Sequence, residues 1–136
     1  MPRQRNQAAK PEKLTPKMRA TVDAAALCKM AERGQITGGI LDGPLAFDNA
    51  ISKQAAETKG IHSGVAGDPD ILLAPDLEAG NILAKQLTFL ANAASAGLVL
   101  GARVPIILTS RADSVRSRIA SCAVAMQVAH ARRKKT

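Results

Sequence analysis

Asp70-Ile71-Leu72-Leu73-Ala74-Pro75-Asp76-Leu77-Glu78-Ala79-Gly80-Asn81 sets the expected fold of this 136-residue chain. Ile71 to Ala74 is a short apolar run closed by Asp70 and Pro75, the pattern of a buried parallel strand. Asp76 can cap a helix, and Glu78 puts negative charge in its first turn, where the macrodipole favours it. Ile82, Leu83, Leu87 and Leu90 follow at helical spacing. A strand, a tight turn and a helix are therefore expected, with a ligand-binding edge at the carboxyl end of the strand.

Outward from that stretch, order is expected from about Thr15. The spacing predicts a helix over Thr21–Arg33, with Val22, Ala26, Met30 and Leu27 on its apolar side and Gly34 as C-cap. A strand is expected near Gly38–Leu41, a helix over residues 49–59 ending at Gly60, and a loop of small residues from Ile61 to Pro69. Two further strands are expected at Gly97–Gly101 and Val104–Leu108. A last helix begins near Asp113 or Ser114 and carries an apolar stripe of Val115, Ile119, Cys122, Met126 and Ala129. Alternating helices and strands imply an α/β fold, with α/β/α layers around a parallel sheet. Four short strands make a narrow sheet for an independent domain, and part of a larger fold is the expectation.

The bulk composition removes several classes of function. The chain is 46% hydrophobic but has two Phe and neither Trp nor Tyr. Small aliphatic residues suit helices packed on a sheet, whereas single-stranded nucleic acid is usually held by stacking on aromatic faces. The net charge of +8 comes from the ends. Residues 1–19 carry six basic side chains against Glu12, and residues 132–135 are all basic, while 20–131 hold nine basic and ten acidic residues. Residues 1–14 therefore read as a disordered basic tail and 132–136 as a second basic tail, flanking one domain over 15–131. A nucleic-acid contact through the tails is the weakest of the readings weighed. Cys28 and Cys122 sit among apolar neighbours, as buried thiols of a reducing compartment do. His62 and His130 have no ligand spacing with them, so no metal site is expected. With neither an apolar signal segment nor a membrane-length apolar run, a cytoplasmic protein is expected.

Three polar clusters are candidates for chemistry. Ser110 and Arg111 follow an apolar run and precede a helix. A hydroxyl, a guanidinium and unpaired backbone amides together suit a phosphate or acyl-phosphate oxygen. The competing reading is plain helix capping by Ser110 or Ser114, with Arg111 in solvent. Asp42, before Gly43-Pro44 and near Asp48, either lines a crevice or makes an Asp-Gly turn. Asp76 reads as a helix cap, but Gly80-Asn81 inside a helical pattern points to close approach by a ligand or another backbone. Dinucleotide, P-loop, nucleophile-elbow and zincin signatures are absent.

Asp42-Gly43-Pro44-Leu45-Ala46-Phe47-Asp48-Asn49-Ala50, Gly67-Asp68-Pro69 continuing through Asp70–Asn81, and Leu108-Thr109-Ser110-Arg111-Ala112-Asp113-Ser114 together resemble the carboxyl half of the phosphate acetyl/butyryltransferase family. The resemblance covers about residues 15–131. It implies acyl transfer between coenzyme A and phosphate: acetyl-CoA, or a short-chain acyl-CoA, plus inorganic phosphate gives acyl phosphate plus CoA. It also implies two α/β/α lobes related to isocitrate and isopropylmalate dehydrogenases, a cleft site, dimers, and no cofactor or metal in the transfer. Coenzyme A is then a substrate. By the same resemblance Arg111 holds phosphate and Ser110 hydrogen-bonds the reacting carbonyl or thiol. Asp42, Asp76, Gly80 and Asn81 join Arg111 as candidate substrate-binding residues.

Two departures accompany the resemblance. Where the acetyltransferase branch places an aspartate proposed as base, this chain has Ser117, between Arg116 and Arg118, and the base is unassigned. Family chains are also roughly twice this length, so a truncated or split product is expected. Such a chain would act as a homo-oligomer or with a complementing chain. Its alternative role is as an inactive remnant or regulatory subunit paired with a full-length paralogue.

Overall fold

In the computed structural model, which describes residues 11–134, the first helix, α1, runs Arg19–Glu32. Thr21 Oγ1 accepts from the Thr15 N–H at 2.9 Å and donates to the Met18 carbonyl at 2.8 Å, folding the entering chain back onto the first turn. Thr21 is buried, Ala24, Ala25 and Cys28 are half-buried, and Ala26 and Met30 are exposed. Of the expected apolar side, Val22 and Leu27 are half-buried, so the inward face keeps part of it and centres on Thr21, Ala24, Ala25 and Cys28. Small side chains win because backbone lies directly on them: Cys28 Sγ donates to the Gly43 carbonyl at 3.6 Å, and a Cβ on Gly43 would sit 3.3 Å from that of Ala24. Beyond α1, Gly34 N–H bonds the Ala31 carbonyl and Gln35 N–H that of Met30, with Gly34 at φ +71. This is the glycine-terminated helix end read from the sequence.

The helix expected over 49–59 is two helices, α2 (Phe47–Ile51) and α3 (Lys53–Thr58), packed on each other. Ser52 separates them with extended backbone, and its hydroxyl caps α3 by accepting from Ala55 N–H at 3.3 Å. Gly67 N–H bonds the Ala50 carbonyl at 2.9 Å and ties the following loop to α2. Asn49 is fully buried, and neither side-chain polar atom has a partner among the described residues. Lys59 pairs with Asp48 at 2.8 Å and reaches Glu12 at 4.0 Å.

The chain divides after Pro75 into two units. In the second, Asp76 caps α4 (Leu77–Lys85) by accepting from Ala79 N–H at 2.7 Å. The helix continues as a π-helical turn over Gln86–Leu90. Strands β1 (Leu98–Val99) and β2 (Ile106–Ile107) pair, and α5 (Val115–Arg133) packs on both. Helix α5 runs into the basic residues Arg132 and Arg133, so these belong to the helix; the rest of the expected tail beyond Lys134, and residues 1–10, lie outside the described residues.

The sheet corrects the expectation in three respects. Among the described residues no strand forms at Ile71–Ala74 or at Gly38–Leu41, and Ile71 and Leu73 are 83% and 78% exposed. An apolar run becomes a strand only where a neighbour takes up its backbone N–H and C=O groups, and none does so here. The pairing that does form is antiparallel, Leu98 with Ile107 and Val99 with Ile106. Parallel strands need a crossover of roughly a dozen residues, and the link from Leu100 to Pro105 is too short for one. Helix α5 is also turned over. Its buried residues are Ser121 and Ala125, whereas Val115, Ile119, Cys122 and Met126 are exposed. The fully buried apolar residues among those described are alanines: Ala50, Ala56, Ala66 and Ala125. Among the described residues no helix is long and apolar enough to cross a membrane.

Two outcomes follow from this packing. A Cβ on Gly97 would sit 2.1 Å from the Leu108 carbonyl oxygen, while one on Gly64 meets nothing within 4 Å. Gly97→Ala should therefore lower stability by about 2 kcal/mol in denaturant titrations followed by circular dichroism, and Gly64→Ala should change it by less than about 0.5 kcal/mol. Separately, the Lys59 ammonium holds the Asp48 carboxyl below its ordinary range. A lowered carboxylate contributes stability above its unfolded pKa of about 4 and loses it as pH falls through the folded value. The melting-temperature gap between the wild type and Asp48→Asn should be present at pH 7 and close below about pH 4.

Candidate active site

The turn between β2 and α5 gathers more polar groups than any other point in the second unit. Leu108 N–H bonds the Gly97 carbonyl at 3.1 Å, extending the strand pairing by one residue. The chain then leaves the sheet through Thr109 into Ser110 and Arg111. Ser110 and Asp113 close the turn on each other: Ser110 N–H donates to Asp113 Oδ2 at 2.6 Å, and Asp113 N–H donates to the Ser110 carbonyl at 3.1 Å. Ser110 Oγ accepts from Ala112 N–H at 3.4 Å. Ser114 then caps α5, its hydroxyl accepting from Ser117 N–H at 3.1 Å.

Ser110 is half-buried and Arg111 is exposed. None of the ion pairs among the described residues engages the Arg111 guanidinium. Arg118 Nη2 reaches the Arg111 carbonyl at 3.5 Å, bringing a second guanidinium to the turn. Arg116 and Arg118 lie near the N-terminus of α5, whose first turn has no acidic residue. Positive charge there opposes the macrodipole, at roughly 0.3–1 kcal/mol per charge near the helix end. A hydroxyl, guanidinium groups and helix-end amides around one turn can together bind a tetrahedral oxyanion.

Ser117 occupies the position expected for a carboxylate base. Its Oγ lies 3.1 Å from Ser114 Oγ and 3.4 Å from Ser95 Oγ, in a run of hydroxyls. The nearby carboxylate of Asp113 is engaged by the Ser110 amide. Ser95, Asp113 and Ser121 were not singled out as site residues from the sequence. A signal for Ser121 is present: Ser117, Ser121 and Ala125 recur every four residues, a small-residue stripe about a third of a turn from the apolar one.

The other expected site residues are dispersed. Asp76 is the helix cap, exposed, with Oδ1 on Ala79 N–H. Gly80 is half-buried and Asn81 exposed on α4, which among the described elements packs only against its π-helical continuation. With no strand at Ile71–Ala74, the ligand-binding edge expected at its carboxyl end is not formed among the described residues. Asp42 lies in the first unit and accepts from the Gly43 N–H at 2.8 Å, the Asp-Gly turn that competed with a crevice role. Burial pushes the Cys28 thiol up, and the Asp42 and Glu32 carboxylates push it further, so Cys28 is the opposite of an activated nucleophile. Among the described residues, no three His, Cys, Asp or Glu side chains gather as metal ligands would.

Comparison with known proteins supplies the context for this turn. A family model described as phosphate acetyl/butaryl transferase matches residues 11–126. The phosphate acetyltransferase of Rhizobium meliloti is 70% identical over 122 residues, which make up 90% of this chain and 39% of that protein. The phosphate butyryltransferase of Clostridium beijerinckii is 52% identical over 112 residues, 82% of this chain and 37% of that one. The crystal structure of a branched-chain phosphotransacylase from Enterococcus faecalis V583 superposes with a TM-score of 0.71 at 36% identity, covering 85% of this chain and 41% of that chain. The chain thus spans about two-fifths of the length of the relatives it matches. On the family match over residues 11–126, the chain belongs to the phosphate acetyl/butaryl transferase family.

Proposed function

We propose that this chain carries the phosphate-handling turn of a phosphate acyltransferase, which converts acetyl-CoA or a short-chain acyl-CoA plus phosphate into acyl phosphate plus CoA. The observation that carries the reading is the β2–α5 turn, where Ser110 and Arg111 are presented by a loop that Asp113 closes at 2.6 Å. Relatives named for acetyl and butyryl transfer support the substrate class.

In the direction from acyl-CoA, a phosphate oxygen attacks the thioester carbonyl carbon. The C–S bond then breaks, and CoA leaves as a thiolate that takes up, through solvent, the proton the phosphate loses on becoming acyl phosphate. The nucleophile is already anionic near neutral pH, so this direction requires no carboxylate base. That accords with Ser117 at the position discussed above. The protein's task is to bring two anions together and hold the charge that develops on the carbonyl oxygen. Arg111 offers a planar pair of donors to phosphate, and Ser110 Oγ a hydroxyl for the carbonyl or thiol. Asp76, Gly80 and Asn81 would join the site only where a larger assembly brings them to it.

A second reading is that turnover requires a complementing chain supplying the rest of the family fold. The exposed faces favour it: Val115 is 74% exposed, Ile119 64% and Met126 73% along one side of α5. Such a stripe is the seam of a buried helix, presented to solvent. An inactive subunit pairing with a full-length paralogue, or a homo-oligomer, would use the same stripe.

Phosphate-dependent CoA release from acetyl-CoA and butyryl-CoA by the purified full chain tests the first reading. Arg111→Ala should lower kcat/KM about a hundredfold, and Arg111→Lys should recover only part of it. Turnover that survives Arg111→Ala overturns the assignment. For the second reading, the chain should be titrated with a polypeptide carrying the amino-terminal part of the Rhizobium meliloti relative. Turnover that rises with the added polypeptide, and falls again with Ile119→Asp, supports complementation. Co-purification without turnover favours the regulatory subunit, and unaltered turnover of the chain alone removes the need for a partner.

A further inference from the structure

We infer that Ser121, a buried hydroxyl in the middle of α5, is a positioning residue for the Ser110–Arg111 turn. The inference rests on the function proposed above. Ser121 is 1% exposed. Its Oγ donates to the Ser117 carbonyl one turn back at 2.8 Å and accepts from the Gly97 N–H at 3.0 Å. A serine bonding back to its own helix needs no other element. Here the free lone pair is what holds Gly97.

From Gly97 the connection runs to the site in two steps. The Gly97 carbonyl accepts from Leu108 N–H at 3.1 Å, so the strand end that Ser121 anchors fixes the residue from which the chain turns toward the site. Leu108 passes over Gly97 so closely that a Cβ there would meet its carbonyl oxygen at 2.1 Å. Two residues later, Ser110 is clamped by Asp113, and Ser114 anchors the same segment to the start of α5. The turn is therefore held to one helix at two levels. Ser114 holds it directly, and Ser121 holds it through Gly97 and Leu108. With only two paired residues in each strand, β1 and β2 have little pairing of their own to keep Leu108 in place. A half-buried N–H deprived of its partner is costly enough to open contacts as sparse as these.

Ser121→Ala in the full chain tests this, with Ser121→Thr as the variant that keeps the hydroxyl. Alanine is the better helix former, so the change does not weaken α5 itself. Ala125→Gly, one turn further along the same buried face, is the control for general loosening. Amide hydrogen exchange should quicken about tenfold at Gly97, Leu108 and Ser110 in Ser121→Ala. It should stay near the wild-type rate at Val124–Val128, and Ser121→Thr should restore protection at the first three. In phosphate-dependent CoA release, Ser121→Ala should raise the KM for phosphate several-fold with a smaller change in kcat. Ala125→Gly should lower the melting temperature without that split. Unchanged exchange at Leu108 and Ser110 in Ser121→Ala overturns the inference, and so does an equal change in Ala125→Gly. The exchange experiment needs no turnover. A wild-type chain that shows the coupling but no transferase activity would therefore count against the proposed function and leave the positioning role standing.

Discussion

The close crossing of Gly97 and Leu108 is the contact on which the second unit depends. Backbone groups removed from water must find partners, and this unit meets that demand with a very small antiparallel pairing. Because the strands are so short, the pairing must be supported from outside. Ser121 supplies that support from α5, and α5 is in turn capped by Ser114 at the end of the same turn. The absence of a side chain at position 97 is what lets the two backbones approach. At the other end of α5, the Arg132 guanidinium reaches the Ala102 carbonyl at 2.7 Å, fastening the link between the strands to the last turn of the helix.

Local features were legible in the sequence where their chemistry is local. Asp76 caps α4, Ser114 caps α5, and Gly34 closes α1, because each depends on bonds made within a few residues. The run Ile71–Ala74 was misleading for the converse reason. A strand is a property of two segments, and hydrophobicity in one cannot supply the neighbour. The antiparallel sense of β1 and β2 was readable from the short link between them, and the α/β alternation concealed it.

The burial of α5 shows a subtler limit. Its larger apolar residues form a clean stripe, the pattern expected of a core face. The face that packs in this unit lies about a third of a turn round the helix from it and is built of Ser117, Ser121 and Ala125, small side chains against β1 and β2. Both faces have an apolar or small-residue pattern, as a helix between two layers does. Of the candidate site, Ser110 and Arg111 are legible as a pair after an apolar run, while the carboxylate that closes the turn on Ser110 comes from Asp113, which the sequence marks only as a possible helix start. Within the second unit, α4, which carries Gly80 and Asn81 and is capped by Asp76, packs on neither β2 nor α5.

Helix α5 carries the same sign of charge at both ends. Arg132 and Arg133 in its last turn suit the helix dipole, whereas Arg116 and Arg118 at its beginning work against it. The first turn is therefore under electrostatic tension. On the function proposed above, an oxyanion at this turn would relieve that tension, and occupancy and helix stability would be thermodynamically linked: each increment of affinity drawn from the relief would reappear as resistance of α5 to unfolding.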